Sequence, residues 1–587
     1  MNRRLAGRAA WVAIGVGVAW LLAPAWAADG VRSAREALVA EAVKGKLTAR
    51  VVELYYDYAE QCARAAAPPG RVAADFWKWL AARPTIREGV LAGMDCAYAG
   101  HVAARLEELR GAFLADVDRF PHLAIAFALV YGRAGDESIR LWDWVAKGRP
   151  VPPMVESFRY FVAHRGEMLF PLDATPWPLL VHVADIEVPI AEREWVLAKY
   201  RGRPLESLRR VHTDLPYKHG AYARKMARQE GAPMALPRIC QEGGVCSQKA
   251  YYAASVLKSL GVPAFRLTGN HHAWEGWVVP EKPLRVNYAF MIGRKSGRMK
   301  CPLSRTAVGQ HEVDMSVAAT SESYSGYLAA RVAGAAYALV PEDRRRQATG
   351  LLRGALSRNA FCTQAWRHLA QAAADGVLTG AEAEKLYPTA LRALAGHPQM
   401  TCEIFTTLIA PRLQATEGVD ERTLAELTRE IEREASRYEG LKREDLGVQL
   451  RNLLGSTIAA VQGPSAACER YRSWLPRAET GWRLAYRALF QHLMKLTKAR
   501  VALAARAEFL AGEVARQPAR FPPSRRARRR NPKAQGEVNA RYVMAASAYV
   551  NTLRRLGRKG EAAELKAKIR ELTNEDAEAE DEPPEAL

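Results

Sequence analysis

The chain has 587 residues, of which 49% are hydrophobic and 25% charged, and its formal net charge is +22. This length exceeds the roughly 250 to 300 residues at which one hydrophobic core stops growing, so we expect roughly two to four domains. The 14 tryptophans and 21 tyrosines, with the apolar fraction, exclude a wholly disordered protein.

Residues 1–27 have the composition of an export signal. A basic start precedes an apolar run over 9–23, and a small-x-small cleavage site follows at 25–27. The alternative is an uncleaved membrane anchor, but Pro24 interrupts the run before the ~20 residues that a spanning helix needs. We therefore expect an exported protein, periplasmic or extracellular, with no membrane span after the signal is removed.

The positive charge predicts anionic partners. Outside the cytoplasm these are acidic polymers or lipid head groups of an envelope, and we expect no nucleic acid. The densest basic run, 525–530, lies between proline-containing segments. It is interpreted as a solvated linker, with a polyanion-binding site as the alternative.

Apolar residues at helical spacing dominate most of the chain, as in Val51, Leu54, Tyr55 and Tyr58. The predicted fold class is multidomain and mainly α, with helical N- and C-terminal regions flanking a small α+β core. The predicted divisions are a signal peptide (1–27), a helical N-terminal region (28–235), the α+β core (236–315), a helical C-terminal region (316–520), a Pro/Arg-rich linker (521–536), a helical hairpin (537–573) and an acidic disordered tail (574–587).

The α+β segment begins with a helix from Cys246 to about Leu260, which Gly261 and Pro263 end. Three β-like runs follow, at Ala264–Thr268, His272–Val279 and Leu284–Ile292. The turn composition of 280–283 predicts that the second and third runs form an antiparallel hairpin.

Cys246 follows Gly243 and Gly244 at the predicted helix start. Backbone N–H groups and the helix dipole favour a thiolate at such a position, and the thiolate is the species that attacks a carbonyl. A buried structural cysteine is the alternative for this residue taken alone.

His272 begins the second β-like run and can act as the base that takes the thiol proton. Strand alternation lets only one of His271 and His272 face the cysteine, and we choose His272. Asn287 on the next strand is predicted to orient the imidazole ring by accepting its N–H.

This order of cysteine, helix, Gly-Val-Pro-Ala, strand and His-Ala-Trp resembles the transglutaminase-like superfamily, in which Gly-x-Cys opens a helix and His-Ala-Trp begins a strand. The resemblance covers roughly residues 237–292. It implies a papain-like core with Cys246 as nucleophile and His272 as base. The family usually has Asp at the third position, where this chain has Asn287; asparagine serves in papain-like proteases.

Around this site, the backbone N–H of Cys246 is one predicted oxyanion donor and Gln241 a second, because a glutamine precedes the cysteine in papain-like enzymes. Trp274 is predicted to be a packing residue beside the site. We expect no cofactor, since there is neither a calcium-type Asp-rich loop nor a glycine-rich phosphate loop after a strand.

The predicted function is thus a thiol enzyme that acts on amide bonds of proteins or peptides, by hydrolysis, deamidation or acyl transfer. One alternative is a catalytically inactive scaffold whose helices bind a partner. The other is a metal site made from Cys240, Cys246, His271, His272 and Cys301, which the spacing of these residues disfavours.

For an exported chain we also predict disulfides, namely Cys62 with Cys96, Cys240 with Cys301, and Cys362 with Cys402.

Overall fold

The structure is a computed structural model, and it describes residues 25–134, 151–217, 235–269, 272–289, 297–414, 420–480, 485–499, 502–520 and 538–580. Two compact units divide after Leu408, inside one helix. The predicted signal up to residue 24, the linker from 521 and the last residues of the tail lie outside the described residues.

Among its described residues, the first unit begins with ten helices, most of which place an apolar face toward one core. They are α1 (Ala25–Ala42), α2 (Ala49–Ala66), α3 (Phe76–Ala81), α4 (Pro84–Gly93), α5 (Ala99–Arg119), α6 (Pro121–Ala134), α7 (Met154–Ala163), α8 (Trp177–Ala184), α9 (Ile190–Tyr200) and α10 (Leu205–Leu208). Short 3-10 helices occur at Cys96–Tyr98, Arg165–Glu167 and Val211–Asp214.

Helix α6 shows why this part of the chain folds as it does. Residues Leu123 to Val130 are all buried, so the helix is apolar around its whole circumference, as expected for a helix enclosed by others. One continuous apolar cluster extends from Val31 to Ile404. The predicted α+β core therefore shares its interior with the helices before and after it.

The middle of the first unit contains two helices followed by a small sheet. The helices are α11 (Leu236–Glu242) and α12 (Cys246–Ser259), and the strands are β1 (Ala264–Gly269), β2 (His272–Val279), β3 (Arg285–Ala289), β4 (Arg298–Lys300) and β5 (Ala307–Gly309). All pairs are antiparallel, in the order β3-β2-β1-β4-β5. The hairpin predicted around 280–283 is confirmed by the pairing of Val279 with Arg285.

The sheet lies between two helices. Helix α12 packs against β1 and β2, and helix α13 (Gln310–Glu322) packs against β3 and β5. The remaining helices of this unit are α14 (Tyr324–Leu339), α15 (Arg345–Arg358), α16 (Thr363–Ala374), α17 (Gly380–Ala393) and α18 (Pro398–Gln414), with a 3-10 helix at Glu342–Arg344.

The second unit contains the end of α18 and helices only, among the residues described. These are α19 (Glu421–Gly440), α20 (Glu444–Val461), α21 (Pro464–Thr480), α22 (Ala485–Leu496), α23 (Leu503–Arg516), α24 (Ala540–Arg555) and α25 (Lys559–Glu580). The last two turn at Gly557, whose φ is 80°. Helix α25 continues past Asn574, where we predicted disorder to begin, because alanine and glutamate favour a helix even in an acidic segment with no large apolar residue.

Candidate active site

Cys246 is the first residue of α12, and two glycines shape the chain just before it. Gly243 has φ 76° and ψ −167°, a conformation that is essentially restricted to glycine. The Gly244 N–H donates to the Pro216 carbonyl over 3.1 Å, and Val245 is extended. The chain therefore turns sharply at Gly243 and Gly244, and this turn places Cys246 at the helix start.

Gln248 completes this turn. Its side-chain oxygen accepts the Val245 N–H over 2.9 Å, which satisfies a backbone donor next to the helix terminus. Gln248 is fully buried, whereas Cys246 is half-buried. The Cys246 thiol therefore lies beside the first N–H groups of the helix, which carry partial positive charge.

Tyr217 lies against the same helix start. It forms an isolated parallel bridge with Gly244, and the backbone N–H of Cys246 donates to its hydroxyl. Burial raises the pKa of Tyr217 and the Cys246 thiol raises it further, while that hydrogen bond opposes them. The Lys249 amine lies 5.6 Å from the tyrosine ring centroid. The Tyr217 hydroxyl oxygen thus accepts from the same N–H that the oxyanion of a tetrahedral intermediate at Cys246 would use.

His272 lies at the end of the sheet that adjoins the start of α12. The helix has 14 residues and a length of about 21 Å, and the six residues of β1 span about 20 Å. Since Gly261 reverses the chain between them with φ 75°, β1 runs back along the helix. Cys246 and the first residue of β2, His272, are therefore at the same end of this layer.

The ring of His272 nevertheless shares a sheet face with Trp274. The two rings are nearly parallel, at 19°, with centroids 6.0 Å apart. Trp274 packs with Leu267 and with Val313 of α13. His272, which is 8% exposed, consequently belongs to the face that α13 covers, here called the α13 face.

The opposite face of β2, here called the α12 face, contains a buried charged cluster. Glu275 is 1% exposed, and its Oε1 lies 2.7 Å from Nδ1 of His212. Burial raises the pKa of Glu275, and the interactions with His212 and Lys249 oppose that rise. The Lys249 amine donates to the Leu215 carbonyl over 2.7 Å, so this cluster joins α12, β2 and the segment that ends in Tyr217.

Asn287 is separated from His272 by the register of the hairpin. It pairs with Trp277, which is five positions along β2 from His272 and so about 17 Å away. Asn287 also shares the α12 face with Trp277, whereas the His272 ring is on the α13 face. The predicted role of Asn287 as the residue that holds the His272 ring is therefore wrong in this structure.

The two other predicted residues occupy different environments. Gln241 is exposed in α11, on the far side of the Gly243 turn from Cys246, and the glutamine that contacts the turn is Gln248. Trp274 is completely buried and belongs to the apolar cluster on the α13 face.

Three residues of the site were missed by sequence reasoning. Glu275 had a usable signal, since every residue that follows His272 in the strand His272–Val279 is apolar or small except this glutamate. His212 and Tyr217 had none, because they belong to a 3-10 helix and to irregular backbone. Only the tertiary structure brings them to α12.

Comparisons with known proteins do not place this chain in a group: no family model, no curated protein and no solved structure matches it. Within the described ranges, no group of three or more histidine, cysteine and acidic side chains could hold a metal ion. No helix of those ranges combines the length and apolar character needed to cross a bilayer.

Proposed function

We propose that this chain is an exported cysteine-dependent enzyme that acts on amide bonds of proteins or peptides, with Cys246 as nucleophile and His272 as base. The observation that carries the proposal is the position of Cys246, half-buried at the start of a helix that packs on β1 and β2, at the same end of this layer as the first residue of β2, His272. The resemblance of residues 237–292 to the transglutaminase-like superfamily supports the same reading.

In this mechanism the Cys246 thiolate attacks the substrate carbonyl, and the oxyanion is stabilised by the backbone N–H of Cys246. The histidine that accepted the thiol proton returns it to the leaving amine, which leaves a thioester. Water then gives hydrolysis or deamidation, whereas a second amine gives acyl transfer.

His212 is a second candidate for the base. Glu275 lies against its ring at 2.7 Å, which is the arrangement by which a carboxylate holds an imidazole in one orientation. The 3-10 helix that contains His212 packs on α12. Asn287, which was predicted to orient the His272 ring, pairs instead with Trp277 further along the hairpin.

The test is the rate of alkylation by iodoacetamide between about pH 5 and 9, located by mass spectrometry. The tryptic peptide 239–249 carries both Cys240 and Cys246, so Cys240 serves as an internal reference thiol in every sample. The variants are His272→Ala, His212→Ala and, as a half-buried histidine that packs on Tyr337 outside this site, His368→Ala.

We expect Cys246 in the wild type to react at about pH 6 at least tenfold faster than Cys240, and this advantage to disappear in His272→Ala alone. If the rate advantage of Cys246 is lost in His212→Ala and kept in His272→Ala, the base is His212. Equal rates at Cys240 and Cys246 in the wild type would contradict the enzyme proposal.

The competing function is a catalytically inactive scaffold with a transglutaminase-like core, whose helices bind a protein or envelope partner. Two observations favour it: the separation of Asn287 from His272, and the Tyr217 hydroxyl at the Cys246 N–H. The charge of +22 makes an anionic envelope component the partner class to test, by binding to anionic and neutral vesicles at several salt concentrations.

A further inference from the structure

Two cysteines distant from the candidate active-site residues in sequence are brought together by α2 and α5. Cys62 is on the buried face of α2 and is 7% exposed. Cys96 is half-buried in the 3-10 helix Cys96–Tyr98, which packs against α2. Both contribute to the main core of the first unit.

The backbones that carry these cysteines are in direct contact. A Cβ atom placed on Gly100 would lie 2.0 Å from the carbonyl oxygen of Ala66, so only glycine allows the start of α5 to approach the end of α2 this closely. Each cysteine is four positions before one of these contact residues. The approach of the two segments therefore holds the thiols together.

The thiols also interact with one another and with Tyr58. A hydrogen bond with Cys96, together with burial, raises the pKa of Cys62. The same contact, assisted by the Tyr58 hydroxyl, lowers the pKa of Cys96. The half-buried Cys96 thiol is thus the more acidic of the two. The buried Cys62 thiol lies next to it.

We propose that Cys62 and Cys96 form an intramolecular disulfide when the protein meets a disulfide oxidant, and that Cys96 reacts first. The Cys96 thiolate attacks one sulfur of the oxidant, and a mixed disulfide forms while one thiolate leaves. The Cys62 thiol then loses its proton and attacks the Cys96 sulfur, which releases the second thiolate. One protein disulfide forms as one oxidant disulfide is reduced to two thiols.

The other predicted pairs have a different geometry. Cys240 contacts the hydroxyl of Tyr252, and the Cys362 thiol donates to the Ala330 carbonyl over 3.8 Å. All eight cysteines are thiols in the structure. The mutual contact between two thiols thus distinguishes Cys62 and Cys96 from the alternatives offered by sequence proximity.

The experiment exposes the full chain to oxidised glutathione, blocks remaining thiols with N-ethylmaleimide in denaturant and maps tryptic peptides. The two cysteines fall in peptides 51–64 and 88–105, each of which contains no other cysteine. We expect these peptides to be linked in the wild type, at a mass two hydrogens below their sum. Both peptides carrying maleimide only, or linked to other cysteines, would overturn the proposal.

The order of attack is tested with serine variants. Cys62→Ser should accumulate glutathione on Cys96, because no second thiol resolves the mixed disulfide, whereas Cys96→Ser should leave Cys62 unmodified. Cys468→Ser is the matched control, since Cys468 is buried and burial raises its pKa to about 11, and it should retain the link. Glutathione accumulating on Cys62 in Cys96→Ser would refute Cys96 as the first attacker.

Discussion

Gly243→Ala is the substitution that most directly tests how the chain places Cys246. The φ of 76° and ψ of −167° cost a residue with a Cβ atom about 1 to 3 kcal/mol. That Cβ would also lie 2.3 Å from the Pro216 carbonyl oxygen, so the two segments must separate and the hydrogen bond from Gly244 is lost, at about 0.5 to 1.5 kcal/mol. We expect a total destabilisation of about 2 to 4 kcal/mol.

Gly202→Ala is the matched control, because Gly202 has φ 72° and nothing within 4 Å of its missing Cβ. It should cost only the left-handed backbone energy, about 1 to 2 kcal/mol. Urea unfolding can be followed by pulsed labelling of Cys240, and the alkylation rate of Cys246 is measured on the same peptide without urea. Equal destabilisation by the two substitutions, with an unchanged Cys246 rate, would refute the tight contact between 216 and 243.

Two further predictions concern the ion pair of Arg367 with Glu403 and the Tyr217 hydroxyl at the start of α12. Burial raises the pKa of Glu403, but His311 and Arg367 lower it more and hold it at about 2. The contribution of the Glu403 carboxylate to stability is therefore present above about pH 5 and is lost as the pH falls toward 2. With the side chain 33% exposed, Glu403→Gln should cost about 2 kcal/mol at pH 7 and almost nothing at pH 2, whereas the exposed Glu384→Gln should be neutral in acid-unfolding curves. Tyr217→Phe should free the Cys246 N–H and accelerate acylation by p-nitrophenyl acetate, with Tyr98→Phe as the exposed control; slower acylation would instead make the hydroxyl an oxyanion donor.

Much of the local structure could be predicted because its signals are local. The helix of Cys246 and the first two strands follow from apolar spacing and from the stop at Gly261 and Pro263. Strands β4 and β5 were not predicted, since three residues each are too few to show a period of two.

The position of Asn287 illustrates a different difficulty. The sequence indicated a hairpin correctly, but the hairpin's register depends on how many residues the turn uses. Val279 pairs with Arg285, and that pairing puts Asn287 near the turn while His272 is at the other end of the strand. Proximity along the chain therefore predicted the partner strand and misjudged the partner residue.

The choice between His271 and His272 depends on which face of β2 packs against α12. The residues of the strand do not indicate that face. All eight residues of β2 are buried, because α12 and α13 cover opposite faces of the sheet. A strand that is apolar on both faces loses the alternation that would distinguish them. The face is set by long-range packing, which places the His272 ring with Trp274 on the α13 face and brings His212 to Glu275 on the α12 face. For this reason the alkylation series includes both His272 and His212, since these two histidines lie with opposite faces of β2 and only the rate of Cys246 alkylation distinguishes them as its base.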